Sequence, residues 1–192
     1  SIIFLENKRN ILKFNNNEKL KWKKNNYSKT EKKMNPILFF ATNKNYLIVA
    51  DTVAKYYALD INSGQIIWSK NNTAPFNSQI KIFKDKFFIV DSENVIKCFS
   101  LKDGSILWSF KTEKPFIKSQ KKNSLVIKND KIIFNNSLGD ITALDLYTGE
   151  LRWQTPTQKK SIIDEALFLK TADLVVGKNS IFLSNNTNNF FS

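Results

Sequence analysis

Four tryptophans divide the chain into similar lengths, and their spacing constrains the fold more than any other feature of the sequence. Trp22, Trp68, Trp108 and Trp153 are separated by 46, 40 and 45 residues. A period of roughly 40 to 50 residues is typical of four-stranded β-sheets that repeat as the blades of a propeller. The spacing therefore predicts about one blade for each tryptophan.

The segments that end at these tryptophans also agree in detail. Residues 57–68, 97–108 and 142–153 each read as a strand, a turn and a second strand, and residues 11–22 form a degenerate fourth copy. Glycine lies four residues before the tryptophan in the three regular copies, where a hairpin turn often needs a positive φ. Glu18 takes the place of glycine in the degenerate copy. We therefore expect a strained or differently shaped turn at Glu18.

A small residue lies ten positions before the tryptophan in each regular copy, namely Ala58, Cys98 or Ala143. In a close-packed interior a small side chain leaves room for a large one, and the large side chain that recurs is the indole. We therefore expect each indole to pack between neighbouring blades. The predicted blade-docking residues are Trp22, Trp68, Trp108, Trp153, Ala58, Cys98, Ala143, Gly64, Gly104 and Gly149.

The predicted fold class is all-β, a propeller of four-stranded antiparallel blades in one partial domain over residues 1–192. The predicted boundaries are 1–24 (the end of a blade), 25–70, 71–110 and 111–155 (one blade each), and 156–192 (the start of the next). Propellers usually have four to eight blades. The chain either closes alone or forms about half of a larger, eight-bladed ring, and we favour the half because both ends fall in mid-blade. We expect the natural sequence to continue after Ser192 with another glycine turn and tryptophan.

The formal net charge of +13 raises the question of nucleic-acid binding. Only Arg9 and Arg152 among the 30 basic residues are arginines, whereas the guanidinium fork is the group that reads phosphate and guanine bidentately. The lysines are spread along the chain. We therefore predict no nucleic-acid partner.

Catalytic and metal chemistry has few candidate residues here. The chain has no histidine, which is the usual general base and zinc ligand. Cys98 is the only cysteine, so no intrachain disulfide forms, and it reads as a packing residue rather than a nucleophile. Acidic residues such as Asp51, Asp91 and Asp140 read as turn formers rather than calcium ligands. We predict no catalytic, cofactor-binding or metal-binding residues and no cofactor.

The repeated motif carries a family resemblance over nearly the whole chain. The pattern Ala-x-Asp-x-x-Ser/Thr-Gly-x-x-x-Trp, at residues 58–68 and 143–153, resembles the tryptophan-docking repeat of the pyrroloquinoline-quinone-like propellers. The copy at 98–108 departs from it, with Cys98 and Ser100 in place of alanine and aspartate. That superfamily includes quinoprotein alcohol dehydrogenases and the non-catalytic BamB-like lipoproteins of outer-membrane β-barrel assembly.

The resemblance implies three functions, and the first is favoured. A BamB-like scaffold would be periplasmic and outer-membrane associated, would bind protein partners of the assembly machinery, and would touch the membrane only through a lipid anchor outside this sequence. A quinoprotein dehydrogenase would need a quinone, a calcium ion, an aspartate base and, in most cases, a vicinal disulfide, which one cysteine cannot supply. The third function is a ligand-binding or sensor propeller of the same fold.

Overall fold

The computed structural model describes residues 2–6, 9–113, 122–136, 139–156, 173–178, 180–184 and 190–191. Nearly all regular structure in these ranges is β. The strands are β1 (Ile2–Leu5), β2 (Ile11–Phe14), β3 (Leu20–Lys24), β4 (Leu38–Thr42), β5 (Tyr46–Asp51), β6 (Lys55–Asp60), β7 (Ile66–Asn71), β8 (Lys81–Phe83), β9 (Lys86–Val90), β10 (Val95–Ser100), β11 (Ile106–Lys111), β12 (Leu125–Lys128), β13 (Lys131–Asn135), β14 (Asp140–Asp145), β15 (Leu151–Pro156), β16 (Val175–Val176), β17 (Ile181–Ser184) and β18 (Phe190–Phe191).

The strands form five antiparallel sheets in which each strand pairs with its neighbour along the chain. Three sheets have four strands, β4–β7, β8–β11 and β12–β15, and the sheets β1–β3 and β16–β18 have three. The first strands β4, β8, β12 and β16 contact one another in succession. The fourth strands lie at the opposite edge of each sheet. This arrangement is a β-propeller, as the tryptophan spacing predicts, with the first strands towards the centre.

Burial explains why the sheets stack. The two middle strands of each complete sheet are almost fully buried, whereas the fourth strands β7 and β11 are largely exposed. One apolar cluster joins Ile48 and Tyr56 of one sheet to Phe87 and Phe99 of the next. A single blade cannot bury both of its faces alone, so the core of this protein lies between blades.

A short helix, α1 (Lys29–Lys33), is the one element of the described chain that the repeat pattern does not predict. Ser28 is its N-cap and forms a reciprocal capping box with Glu31. Glu31 also pairs with Lys55 at 2.8 Å, and this hydrogen-bonded ion pair lowers the pKa of Glu31 to about 2. The helix therefore attaches the connection between β3 and β4 to the second blade. No helix in the described ranges has the length and apolar character needed to cross a membrane.

The turn of the degenerate copy differs from the others, as Glu18 predicts. The amide of Asn15 bonds the carbonyl of Lys19, whereas the regular turn is one residue longer and runs from Asp60 to Gln65. Glu18 has φ 59°, in the left-handed region that disfavours residues with a Cβ. The β2–β3 turn is thus shorter and strained.

We expect Glu18→Gly to raise the free energy of unfolding by about 1 kcal/mol, because glycine relieves the left-handed strain. The greater conformational entropy of glycine in the unfolded chain offsets part of this stabilisation. Urea denaturation followed by circular dichroism measures the change. Glu18→Gln is the matched control, since it removes the charge and keeps the Cβ. An equal gain in both variants would show that charge, not backbone strain, limits this turn.

Candidate functional site: the junctions between blades

The small residue and the tryptophan of each regular copy lie directly opposite each other on paired strands. Ala58 pairs with Trp68 between β6 and β7, Cys98 with Trp108 between β10 and β11, and Ala143 with Trp153 between β14 and β15. The register shifts immediately after each small residue. All three small residues are fully buried. The degenerate copy has Lys13 opposite Trp22 instead.

Each turn glycine faces the indole of the preceding blade. A Cβ added to Gly64, Gly104 or Gly149 would lie 2.8, 2.7 or 2.6 Å from the indole of Trp22, Trp68 or Trp108, respectively. The same glycines have φ values of 68°, 67° and 75°. Glycine therefore satisfies two demands at these positions, a left-handed turn and a close approach of the aromatic ring. We call this arrangement the glycine–indole contact.

Hydrogen bonds and aromatic rings complete two of these contacts. The indole Nε1 of Trp22 donates to the carbonyl of Ile61 at 3.2 Å, and that of Trp68 donates to the carbonyl of Leu101 at 2.9 Å. Both acceptors lie in the turn that carries the facing glycine. Trp68 also stacks on Phe87, with ring centroids 6.1 Å apart. The indole is thus held by its face and by its edge.

The other two tryptophans are held less completely. The Nε1 of Trp108 is buried and has no hydrogen-bond partner in the described chain. Its ring packs beside Phe88, with centroids 5.7 Å apart. Trp153 is 41% exposed, whereas Trp22 is 7% exposed. Three of the predicted docking tryptophans, Trp22, Trp68 and Trp108, therefore form similar junctions with a glycine of the next blade. The described residues leave the indole of Trp153 partly exposed.

Aspartates shape the turns beside these contacts. Asp60 accepts hydrogen bonds from the amides of Asn62 and Ser63, and Asp145 accepts from the amides of Tyr147 and Thr148. The ion pair with Arg152, followed by these turn amides, lowers the pKa of Asp145. Both carboxylates are therefore ionised and committed to the turn.

A second contact joins the same blades at the opposite end of the middle strands, in the loops before β6, β10 and β14. Asp51 accepts from the amides of Val53 and Lys55 through one oxygen and from the Tyr27 hydroxyl at 2.5 Å through the other. Burial raises the pKa of Tyr27, so the phenol stays protonated and donates. Because Tyr27 precedes β4, this bond links the first connection between blades to the second blade.

The next two junctions repeat this polar contact with different residues. Asp91 receives the Lys97 ammonium at 3.2 Å and the Asn72 side-chain amide at 3.4 Å. Asn136 donates to the hydroxyl of Thr112 at 3.3 Å. Asn72 and Thr112 each lie four residues after a tryptophan. We call this arrangement the polar junction.

The remaining candidates for chemistry are also committed to packing. Burial raises the pKa of the Cys98 thiol to about 12, so this sulfur is not a thiolate at neutral pH. The described residues include no group of three or more acidic, cysteine or histidine side chains arranged to hold a metal. What the junctions can do is mechanical: an aromatic contact at one end and a polar contact at the other hold one sheet against the next.

Sequence reasoning placed the glycines in turns but missed that each glycine faces an indole of another blade. It also missed the polar junction, although the buried Asp51, Asp91 and Asn136 recur at the same place in each blade. That recurrence was available in the sequence. Phe76, ahead of β8, forms an isolated antiparallel bridge with Asp91.

Solved structures share this fold at low sequence identity. The crystal structure of BamB from Moraxella catarrhalis matches with a TM-score of 0.76 and 16% identity, covering 95% of this chain and 55% of that one. The computationally designed Ika4 protein matches with a TM-score of 0.63 and 14% identity, covering 81% and 89%. A europium-containing methanol dehydrogenase matches with a TM-score of 0.53 and 18% identity, covering 70% and 27%. The chain thus spans about half the length of the BamB structure.

No curated protein sequence matches the chain. A family model does: the one described as outer membrane protein assembly factor BamB matches residues 8–192. Those residues include all four tryptophans, all three turn glycines and both kinds of blade contact. The chain therefore belongs to the BamB family of pyrroloquinoline-quinone-like propellers.

Proposed function

We propose that the chain is a non-catalytic propeller scaffold that binds protein partners in outer-membrane β-barrel assembly. The observation that carries the proposal is the match of residues 8–192 to the BamB family model. The structural similarity to BamB supports the fold on which this function rests. In this proposal the protein works in the periplasm, at the outer membrane, and a lipid anchor outside this sequence supplies any membrane attachment.

The chemistry of the blades agrees with a scaffold. Asp51 and Asp91 accept hydrogen bonds from turn amides and from one residue of the preceding connection, Tyr27 or Asn72. Asp91 also pairs with Lys97 of its own blade. Cys98 is buried opposite an indole. In a scaffold such groups hold the sheets rigid and leave the loops and blade edges for partners. In this proposal the predicted docking residues, which are the four tryptophans, the three small residues and the three turn glycines, have that structural role.

Capture of known assembly subunits tests the proposal. We expect the chain, exported to the periplasm of a Gram-negative bacterium that lacks its own BamB, to co-purify with the β-barrel assembly complex. Quantitative mass spectrometry of the captured subunits is the measurement. The Ika4 protein, exported in the same way, is the control because it has a similar fold and a designed sequence. Capture of assembly subunits at the Ika4 level would contradict the proposed function.

The alternative is part of a quinone-dependent dehydrogenase, because a methanol dehydrogenase shares this fold. We expect the purified protein, supplied with pyrroloquinoline quinone and calcium, to reduce no redox dye with alcohols or sugars above a protein-free blank. Robust substrate-dependent dye reduction would contradict the proposed scaffold function and support the dehydrogenase instead. A third possibility, a sensor propeller, would show itself as a captured partner unrelated to barrel assembly.

A further inference from the structure

The first junction contains a lysine where the regular blades have a small residue. Lys13 lies opposite Trp22, at the position of Ala58, Cys98 and Ala143 in the other blades. It is only 8% exposed. A buried ammonium is costly unless it has polar or anionic partners, so this departure from the repeat needs a reason.

The Lys13 ammonium donates a hydrogen bond to a backbone carbonyl of the next blade. Nζ donates to the carbonyl of Ile61 at 2.8 Å, the same oxygen that accepts from the Trp22 indole. An ammonium has three donors, and among the described residues no carboxylate oxygen lies within 4 Å of it. The pKa of Asp60 is lowered chiefly by hydrogen bonds from Ser63 and Asn62, and the nearby Lys13 charge lowers it further. The Asp60 carboxylate is nevertheless exposed and accepts its hydrogen bonds from its own turn. The buried charge therefore has donor capacity left.

Two adjoining cavities meet at Lys13. One, of about 480 Å³, has an apolar part formed by Ile3, Phe40, Ala41 and Ile61. The other, of about 580 Å³, is lined by the asparagine-rich β2–β3 turn and Lys21. Both include Lys13 and Asn62, and the first also includes Lys44. Three lysines and no acidic residue line the two cavities, so their electrostatic potential favours an anion.

We propose that this place is a binding site for a carboxylate carried on an apolar body. The carboxylate takes the free donors of Lys13, with Lys44 and Asn62 beside it, and the apolar body lies against Ile3 and Phe40. The carboxylate comes either from an acidic side chain of a partner protein or from a free carboxylic acid. The site is independent of the proposed scaffold function, because it rests on the first junction alone.

Titration with hexanoate tests the site directly. We expect hexanoate to shift the backbone amide resonances of residues 41–44 and 62 in ¹H–¹⁵N spectra of the chain, in a saturable manner. Hexanamide, which has the same shape without the charge, and acetate, which lacks the apolar body, should each bind at least tenfold more weakly. Equal shifts from hexanamide, or shifts confined to residues outside the two cavities, would overturn the proposal.

Variants locate the charge that matters. Lys13→Met keeps the length of the side chain and removes the ammonium, and we expect at least a tenfold loss of hexanoate affinity. Lys70→Met, on the exposed strand β7, is the matched control and should bind as the wild type does. Should Lys13→Met fail to fold, Lys13→Ala replaces it, because alanine occupies this position in two regular blades. Unchanged affinity in the folded Lys13 variant would contradict the proposal.

A capped Leu-Glu-Leu tripeptide, whose only charge is the glutamate side chain, distinguishes the two sources. Binding that is tighter than that of hexanoate and is lost in the Lys13 variant identifies an acidic side chain of a partner. Binding of hexanoate alone, with the same dependence on Lys13, identifies a free carboxylic acid. Failure of both ligands to bind the wild-type chain would reject the site.

Discussion

Replacing Trp22 with alanine is expected to lower the free energy of unfolding by about 4 kcal/mol, within the range for deleting a large buried aromatic side chain. Trp22 is 7% exposed, faces Gly64 of the next blade and donates to the Ile61 carbonyl. The substitution therefore removes apolar contact area, leaves a cavity between two sheets and removes one of the two hydrogen bonds that the Ile61 carbonyl accepts. Urea denaturation, followed by far-ultraviolet circular dichroism, measures the loss.

The other tryptophans provide an internal scale for this result. Trp153→Ala should cost about 1 kcal/mol, because its indole is 41% exposed. Trp108→Ala should fall between the two, at about 3 kcal/mol, since its ring is partly buried but its Nε1 has no partner. Equal losses at Trp22 and Trp153 would mean that contact between blades does not determine the contribution of these residues.

Asp91→Ala is expected to cost about 3 to 5 kcal/mol, the range for breaking a buried ion pair by removing one partner. The side chain of Asp91 is 1% exposed and that of Lys97 is 9% exposed, with 3.2 Å between the charged atoms. The change leaves the ammonium buried and two turn amides without their acceptor. We expect a matching fall in the urea midpoint.

Two further variants separate burial from charge. Asp85→Ala is the matched control, because Asp85 pairs with Lys86 at 3.0 Å but its side chain is 76% exposed, and an exposed pair contributes little. The double variant Asp91→Ala with Lys97→Met should recover part of the loss, since the unpaired buried charge is gone. A loss in Asp85→Ala as large as that in Asp91→Ala would contradict the importance of the polar junction.

The parts of the fold that repeat were predictable from the sequence. The spacing of Trp68 and Trp108 gives the period of the repeat. The glycines four residues before them indicate a hairpin turn, because glycine tolerates positive φ. These features led to the propeller and to its family, and the structure and the family model confirm both. Repetition makes such predictions secure, since one local pattern is read several times.

The parts that depend on contacts between blades were not predictable in the same way. The partner of Trp68 is Gly104, 36 positions later, and nothing local in the sequence joins them. Helix α1 breaks the repeat and occurs once, although the Ser28 to Glu31 spacing is a capping-box pattern. Lys13 was missed because the shorter turn at Glu18 moves the position opposite Trp22 by one residue.

A double-mutant cycle between Trp68 and Gly104 tests the docking of one blade on the next most directly. Gly104→Ala in the wild-type chain should cost about 3 kcal/mol, from left-handed strain and from overlap of the new Cβ with the indole 2.7 Å away. In a Trp68→Ala background only the strain remains, so the cost should fall to about 1 kcal/mol. Gly64, in the same blade as Trp68 but facing Trp22, is the control glycine. We expect a coupling of about 2 kcal/mol for Trp68 with Gly104 and none for Trp68 with Gly64, whereas equal coupling in both pairs would contradict the glycine–indole contact.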